Sequence, residues 1–148
     1  MGRGPLTVGE AWRGRVRYPL CPMGLTYADI SLEHPFTKHR LNARALVDSG
    51  SVFLTVPEHF AIQLGFDLQD AGVREVVLAD GSRQSVPMIG PLRVRFADRY
   101  CDLSALVLGD EPLFGAVPME MMDLVLNAAK QTLVVNPASP YVPTALAK

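Results

Sequence analysis

The residues best suited to chemistry stand in one short run, Ala45-Leu46-Val47-Asp48-Ser49-Gly50. An apolar triplet, read as the end of a strand, delivers a carboxylate into a tight polar loop, where it is expected to be partly withdrawn from water. The chemistry open to a carboxylate held this way is proton transfer. Ser49 can fix the loop through its hydroxyl, and Gly50 allows close backbone approach and offers an N–H to the carboxylate. The same residue types initiate turns readily, so the run by itself reads either as a site or as a turn. The other aspartates, Asp29, Asp67, Asp70, Asp80, Asp98, Asp102, Asp110 and Asp123, lack this setting and read as turn or surface residues. His34, His39 and His59 lack metal-ligand spacing. Cys21 and Cys101 can form no disulfide framework and belong to no paired-cysteine metal motif. No metal and no cofactor is expected, and the cysteine usage makes a reducing cytoplasm the default.

The elements that must position Asp48 are short and turn-rich. Residues 27–32 read as a strand, and Pro35 in the stretch 34–38 marks its turn. Residues 41–47 return as the strand that ends at Asp48, and 52–56 read as strand again. Pro57 suits the first position of a helix over 59–64, with Glu58 at the positive end of its dipole and Gly65 as its stop. Residues 73–78 and 82–88 read as two strands joined at Asp80-Gly81, a strong hairpin-turn pair, with Pro87 placing the end of the second at an edge. Residues 92–96 alternate arginine outward with an apolar residue inward. A turn at Asp98-Arg99 and a strand over 101–108 follow. After the apolar step Leu113-Phe114-Gly115, Pro118 starts a second helix through 124, and 131–135 form a last strand. Many short strands with two short helices predict a mostly β, barrel-like domain.

The 148 residues suit a single domain, expected over 24–137, with a loosely ordered leader over 1–23 and a proline-rich, disordered tail over 138–148. With 14 basic and 15 acidic residues the formal net charge is -1, so no strong field invites nucleic acid or an anionic membrane. Arg13, Arg15 and Arg17 alternate with Gly14 and Val16 and read as a solvated lead-in. No stretch approaches the ~20 apolar residues of a membrane span, and no early run has signal-peptide form.

In element order the chain resembles the retropepsin-like aspartic peptidases, the single-lobe relatives of pepsin. The family motif, apolar residues followed by Asp, Thr or Ser, and Gly, is matched at residues 45–50, with Ser49 in place of the commoner Thr. An apolar stretch, a short helix, a β-hairpin flap and an apolar-apolar-Gly step before a helix then follow in the family's order, through Leu113-Phe114-Gly115. The resemblance covers about residues 27–137. It implies a closed β-barrel with one or two short helices, acting as a homodimer, and an endopeptidase that hydrolyses peptide bonds. Asp48 would be catalytic, with Ser49, Gly50 and Gly115 supporting its loop. Asp80, Gly81 and Ser82 would form a flap over the substrate, though the tip lacks the usual run of glycines.

The same resemblance implies two chains. Such an enzyme activates water between two carboxylates, which at about 3 Å apart share one proton. This chain has one Asp-Ser-Gly, so the second carboxylate would come from another copy across a two-fold axis. Residues 133–136 would join an interface sheet, and Val52, Ile89 and Phe114 would line side-chain pockets or serve as plain core. Two other readings stay open: a catalytically silent dimeric or peptide-binding module on the same fold, and an unrelated β-barrel whose Asp-Ser-Gly is only a turn.

Overall fold

The computed structural model describes residues 25–145. The expected leader and residues 146–148 lie outside them. β1 (Thr26–Glu33) and β2 (Arg40–Val47) pair antiparallel from Thr26↔Val47 to Glu33↔Arg40. Ala28, Ile30 and Leu32 alternate along β1 and are all buried, as period-two patterning requires. The remaining strands are β3 (Thr55–Val56), β4 (Gly72–Val77), β5 (Arg83–Phe96), β6 (Arg99–Val107), β7 (Leu113–Phe114), β8 (Leu124–Asn127) and β9 (Thr132–Val135), with helices α1 (Glu58–Gln63) and α2 (Ala116–Met122).

Strands β1, β2, β7, β3, β6 and β5 are neighbours in that order, and β1 pairs again with β5 at Ser31↔Arg95 and Leu32↔Val94, which closes a six-stranded barrel. β4 hangs from β5 outside the ring. Side chains that are fully buried fill the barrel, among them Leu32, Leu54, Leu64, Leu92, Phe114 and Met122. At the closing seam, buried Glu33 accepts from Arg95 of β5 at 3.3 Å and faces Arg40 of β2 at 3.5 Å. Burial works against its charge, but these two guanidiniums and Lys38 outweigh it and hold the carboxyl below its ordinary range.

Three expectations need correction. Residues 52–56 shrink to the two-residue β3, because the carbonyls of Ser51 and Val52 accept from the N–H groups of Ala116 and Val117 instead of from a strand. The expected strands 82–88 and 92–96 are one strand, β5, with a bulge between Ile89 and Leu92. Pro87 lies inside it, opposite Val73; β6 joins only from Met88, so the proline has a single strand neighbour, a setting it tolerates. α2 begins at Ala116, with Pro118 in its first turn, and stops at Asp123, whose left-handed φ of 56° turns the chain into β8. Leu124, expected as the last helical residue, instead opens β8; a short apolar run is ambiguous by periodicity, and its cross-strand partner β9 decides it.

The tail has no helix or strand through residue 145 but makes polar contacts with the barrel. Arg99, 4% exposed, donates to the carbonyls of Met122, Asp123 and Ser139. The Asp123 carboxylate accepts from the Ser139 hydroxyl, from Asn136 Nδ2 at 3.1 Å and from Thr144 N at 2.9 Å. Those hydrogen bonds, with the Ser139 hydroxyl foremost, pull the Asp123 carboxyl down to about 2. Through Thr144, then, polar contacts that are buried at Arg99 and Ser139 and exposed at Thr144 tie the chain to the barrel, and composition alone does not reveal them.

Candidate active site

Asp48 follows directly on β2, which runs parallel to β7 through Leu46↔Leu113 and Val47↔Phe114. The ladder continues one step past the strand, where Asp48 N donates to Phe114 O at 3.0 Å. The chain then turns back: Ser51 N donates to Asp48 O at 3.1 Å, and Gly50 N donates to Asp48 Oδ1 at 2.9 Å. One carboxylate oxygen is thus held by the loop backbone. A Cβ at residue 50 would stand 3.2 Å from that oxygen, so glycine here leaves the carboxylate its place.

The loop is braced from behind by the start of α2. Ala116 N and Val117 N donate to Ser51 O and Val52 O at 2.7 and 2.9 Å. Gly115 makes that approach possible. A Cβ there would lie 2.7 Å from Ser51 O and 2.9 Å from Val52 C, with Phe53 O closer still. All three neighbours are backbone, so a side chain at 115 could be admitted only by moving the Asp48 loop.

Asp48, Ser49 and Gly50 are all exposed in the single chain, which corrects the expectation of a carboxylate partly withdrawn from water. Ser49 makes no hydrogen bond through its hydroxyl among the described residues, so the backbone holds the loop's shape.

Over this loop the hairpin of β4 and β5 forms a roof. Its turn, residues 78–82, is closed by Gly81 N donating to Leu78 O at 2.9 Å and Leu78 N donating to Ser82 O at 2.8 Å, with Gly81 at a φ of 87° that favours glycine. Asp80 accepts from the Ser82 hydroxyl at 2.6 Å and from Ser82 N at 2.9 Å, which together lower its carboxyl below the ordinary range. Asp80, Gly81 and Ser82 shape the turn and do not line the cleft beneath it.

That cleft has a volume of about 730 Å³. Its floor is Asp48, Gly50 and the segment Ser51, Val52 and Phe53; its roof is the segment from Arg74 to Ala79, the end of β4 and the start of its turn; its far wall includes Leu106, Asp110, Glu111 and Leu113. Of the three pocket candidates named from sequence, Val52 lines the cleft, whereas Ile89 and Phe114 belong to the core. Sequence reading missed Phe53, Arg74, Asp110 and Glu111. For Arg74 a signal existed, since 74, 76 and 78 share one face of an extended strand.

Among the described residues no cluster of three or more histidine, cysteine or acidic side chains could hold a metal ion, and no helix is long and apolar enough to cross a membrane.

The closed six-stranded barrel with its two short helices fits the retropepsin-like fold. Comparison with solved structures agrees at the level of the fold. The chain is similar to the retroviral protease-like domain of Ddi1 from Leishmania major, with a TM-score of 0.54 and 17% sequence identity over 77% of this chain and 91% of that one. No protein-family model matches the sequence. No curated protein matches it either.

Proposed function

We propose that this chain is one protomer of a homodimeric aspartic endopeptidase in which Asp48 of each copy supplies one of two catalytic carboxylates. The observation that carries this reading is the position of Asp48: on a backbone-braced loop, exposed, at the floor of a cleft roofed by a hairpin. One copy offers a single such carboxylate. Its exposure suits a group that a second copy would cover. The Ser49 hydroxyl, without a partner among the described residues, is available to that copy, and Val125 and Val134, an opposed pair in the β8–β9 hairpin, are 39% and 38% exposed, an apolar surface that association could bury.

In the dimer the two carboxyls share one proton. The ionised partner takes a proton from water as the water oxygen bonds to the scissile carbonyl carbon, and the protonated partner donates to the carbonyl oxygen. Collapse of the tetrahedral species breaks the C–N bond, and the departing nitrogen leaves as an amine with a proton from the pair. A peptide would lie extended beneath the flap, its alternate side chains entering the cleft.

The test is cleavage of a mixed peptide library by the purified protein beside Asp48→Asn. The parent is expected to cleave and to be blocked by a statine-type inhibitor, while the variant stays folded and inert. Equal cleavage by both would remove Asp48 from the chemistry. A dimer that binds peptides without cutting them would favour the silent-module reading.

A further inference from the structure

We propose that Arg74 is a specificity-determining residue that selects an acidic side chain in the peptide bound under the flap. The inference rests on the reading of this cleft as a peptide site and adds the chemistry of what it accepts. The charged groups lining the cleft are Asp48, Glu75, Asp110, Glu111 and Arg74, so Arg74 is the one cation among the described lining residues. Glu75 is engaged by Arg83 at 3.3 Å. Arg74 itself forms no ion pair among the described residues.

What holds Arg74 is an aromatic ring. Its guanidinium carbon lies 5.1 Å from the centroid of Phe53, within cation–π range. The contact spans the cleft, from the flap strand to the segment just past Asp48. The Arg74 side chain donates no hydrogen bond among the described residues, so the guanidinium N–H groups that match a carboxylate bidentately are open to an anion. The side chain is therefore ordered in advance for an anion, which lowers the entropy lost on binding.

The surrounding charges sharpen the choice. A peptide carboxylate laid elsewhere along the cleft would face Asp48 or the wall of Asp110 and Glu111 and be repelled. Against Arg74 it is attracted. One acidic residue in the peptide thus sets the register in which the chain lies across Asp48.

The test is fluorescence anisotropy with labelled peptides identical except for Glu, Gln or Lys at one position, scanned along the length, on the Asp48→Asn protein so that nothing is cut. At one position Glu is expected to bind about ten-fold more tightly than Gln, the ratio one charge-assisted hydrogen bond supplies. Arg74→Gln should bring that ratio to near one, and Arg74→Glu should turn the preference toward Lys. Raising the salt concentration should shrink the ratio in the Arg74 protein. A Glu-to-Gln ratio unchanged by Arg74→Gln, in a variant whose circular dichroism and melting match the parent, overturns the inference, as does failure of every peptide to bind. The peptidase reading is judged separately: if the parent cuts nothing yet the binding ratio depends on Arg74, the peptidase reading falls and this one stands.

Discussion

A single acidic residue well away from the cleft shows how side-chain chemistry holds this fold. Asp123 ends α2 in a left-handed conformation and gathers Ser139, Asn136 and Thr144 onto one carboxylate, which lowers it to about 2 from a value near ~3.9 in an unfolded chain. A carboxyl depressed by folding stabilises the native state above its unfolded value, and that stabilisation is lost as pH falls through the folded value. Acid unfolding between about pH 4 and pH 2 should therefore carry an Asp123 component. Thermal unfolding of Asp123→Asn should give a lower midpoint than the parent near neutral pH, and the gap should close toward pH 2. A gap that stays constant across that range would mean the carboxylate charge is not its source. Cys101 behaves oppositely: it is buried in the core, burial pushes its thiol up to about 12, and it stays protonated and inert at ordinary pH.

Among elements, the junction of β7 and α2 matters most to the site. Gly115 brings the first turn of the helix onto the carbonyls behind Asp48, and any Cβ there meets backbone atoms. Gly115→Ala should cost about 1–3 kcal/mol from overpacking, read as a lower urea midpoint, and should reduce cleavage beyond what stability explains, because the displaced segment carries Asp48. Normal activity in that variant would show that the loop tolerates the shift. This junction was legible through the resemblance, which implies a glycine at the apolar-apolar-Gly step that lets the chain pass close behind the Asp48 loop. The strand pattern was likewise legible where alternation was clean, as in β1 and β2. It failed where neighbours decide the outcome. Residues 51–53 gave up strand pairing to helix N–H groups, and β8 was hidden because only β9 distinguishes it from a helical turn. The tail could not be read at all, because its order comes from Arg99, 40 positions away from Ser139 in the chain. Asp48, Gly50 and Gly115, named from the sequence, do meet at one braced loop, whereas the cleft's charge pattern needed three-dimensional placement.

At the level of the whole molecule, the proposed reaction belongs to no single chain. If each centre takes one Asp48 from each copy, mixing equal amounts of parent and Asp48→Asn subunits and letting them exchange should leave about a quarter of the centres with two intact carboxylates. Activity should fall in that proportion, and the specific activity of the parent should decline on dilution as dimers dissociate. Activity that falls only to one half on mixing, with no dependence on dilution, would mean that each chain works alone.

The closing of the barrel has a consequence for how the chain reaches this state. Apart from the β1–β2 hairpin, the N-terminal strands find their neighbours late: β1 meets β5 at Ser31↔Arg95, and β2 waits for β7 at Val47↔Phe114. Such distant pairings fold slowly, because long loops must be ordered before any contact repays the loss. A nascent chain emerging from the ribosome holds the Asp48 loop unsupported until nearly the whole domain has been synthesised, so the Asp48 carboxylate acquires its geometry among the last features to form.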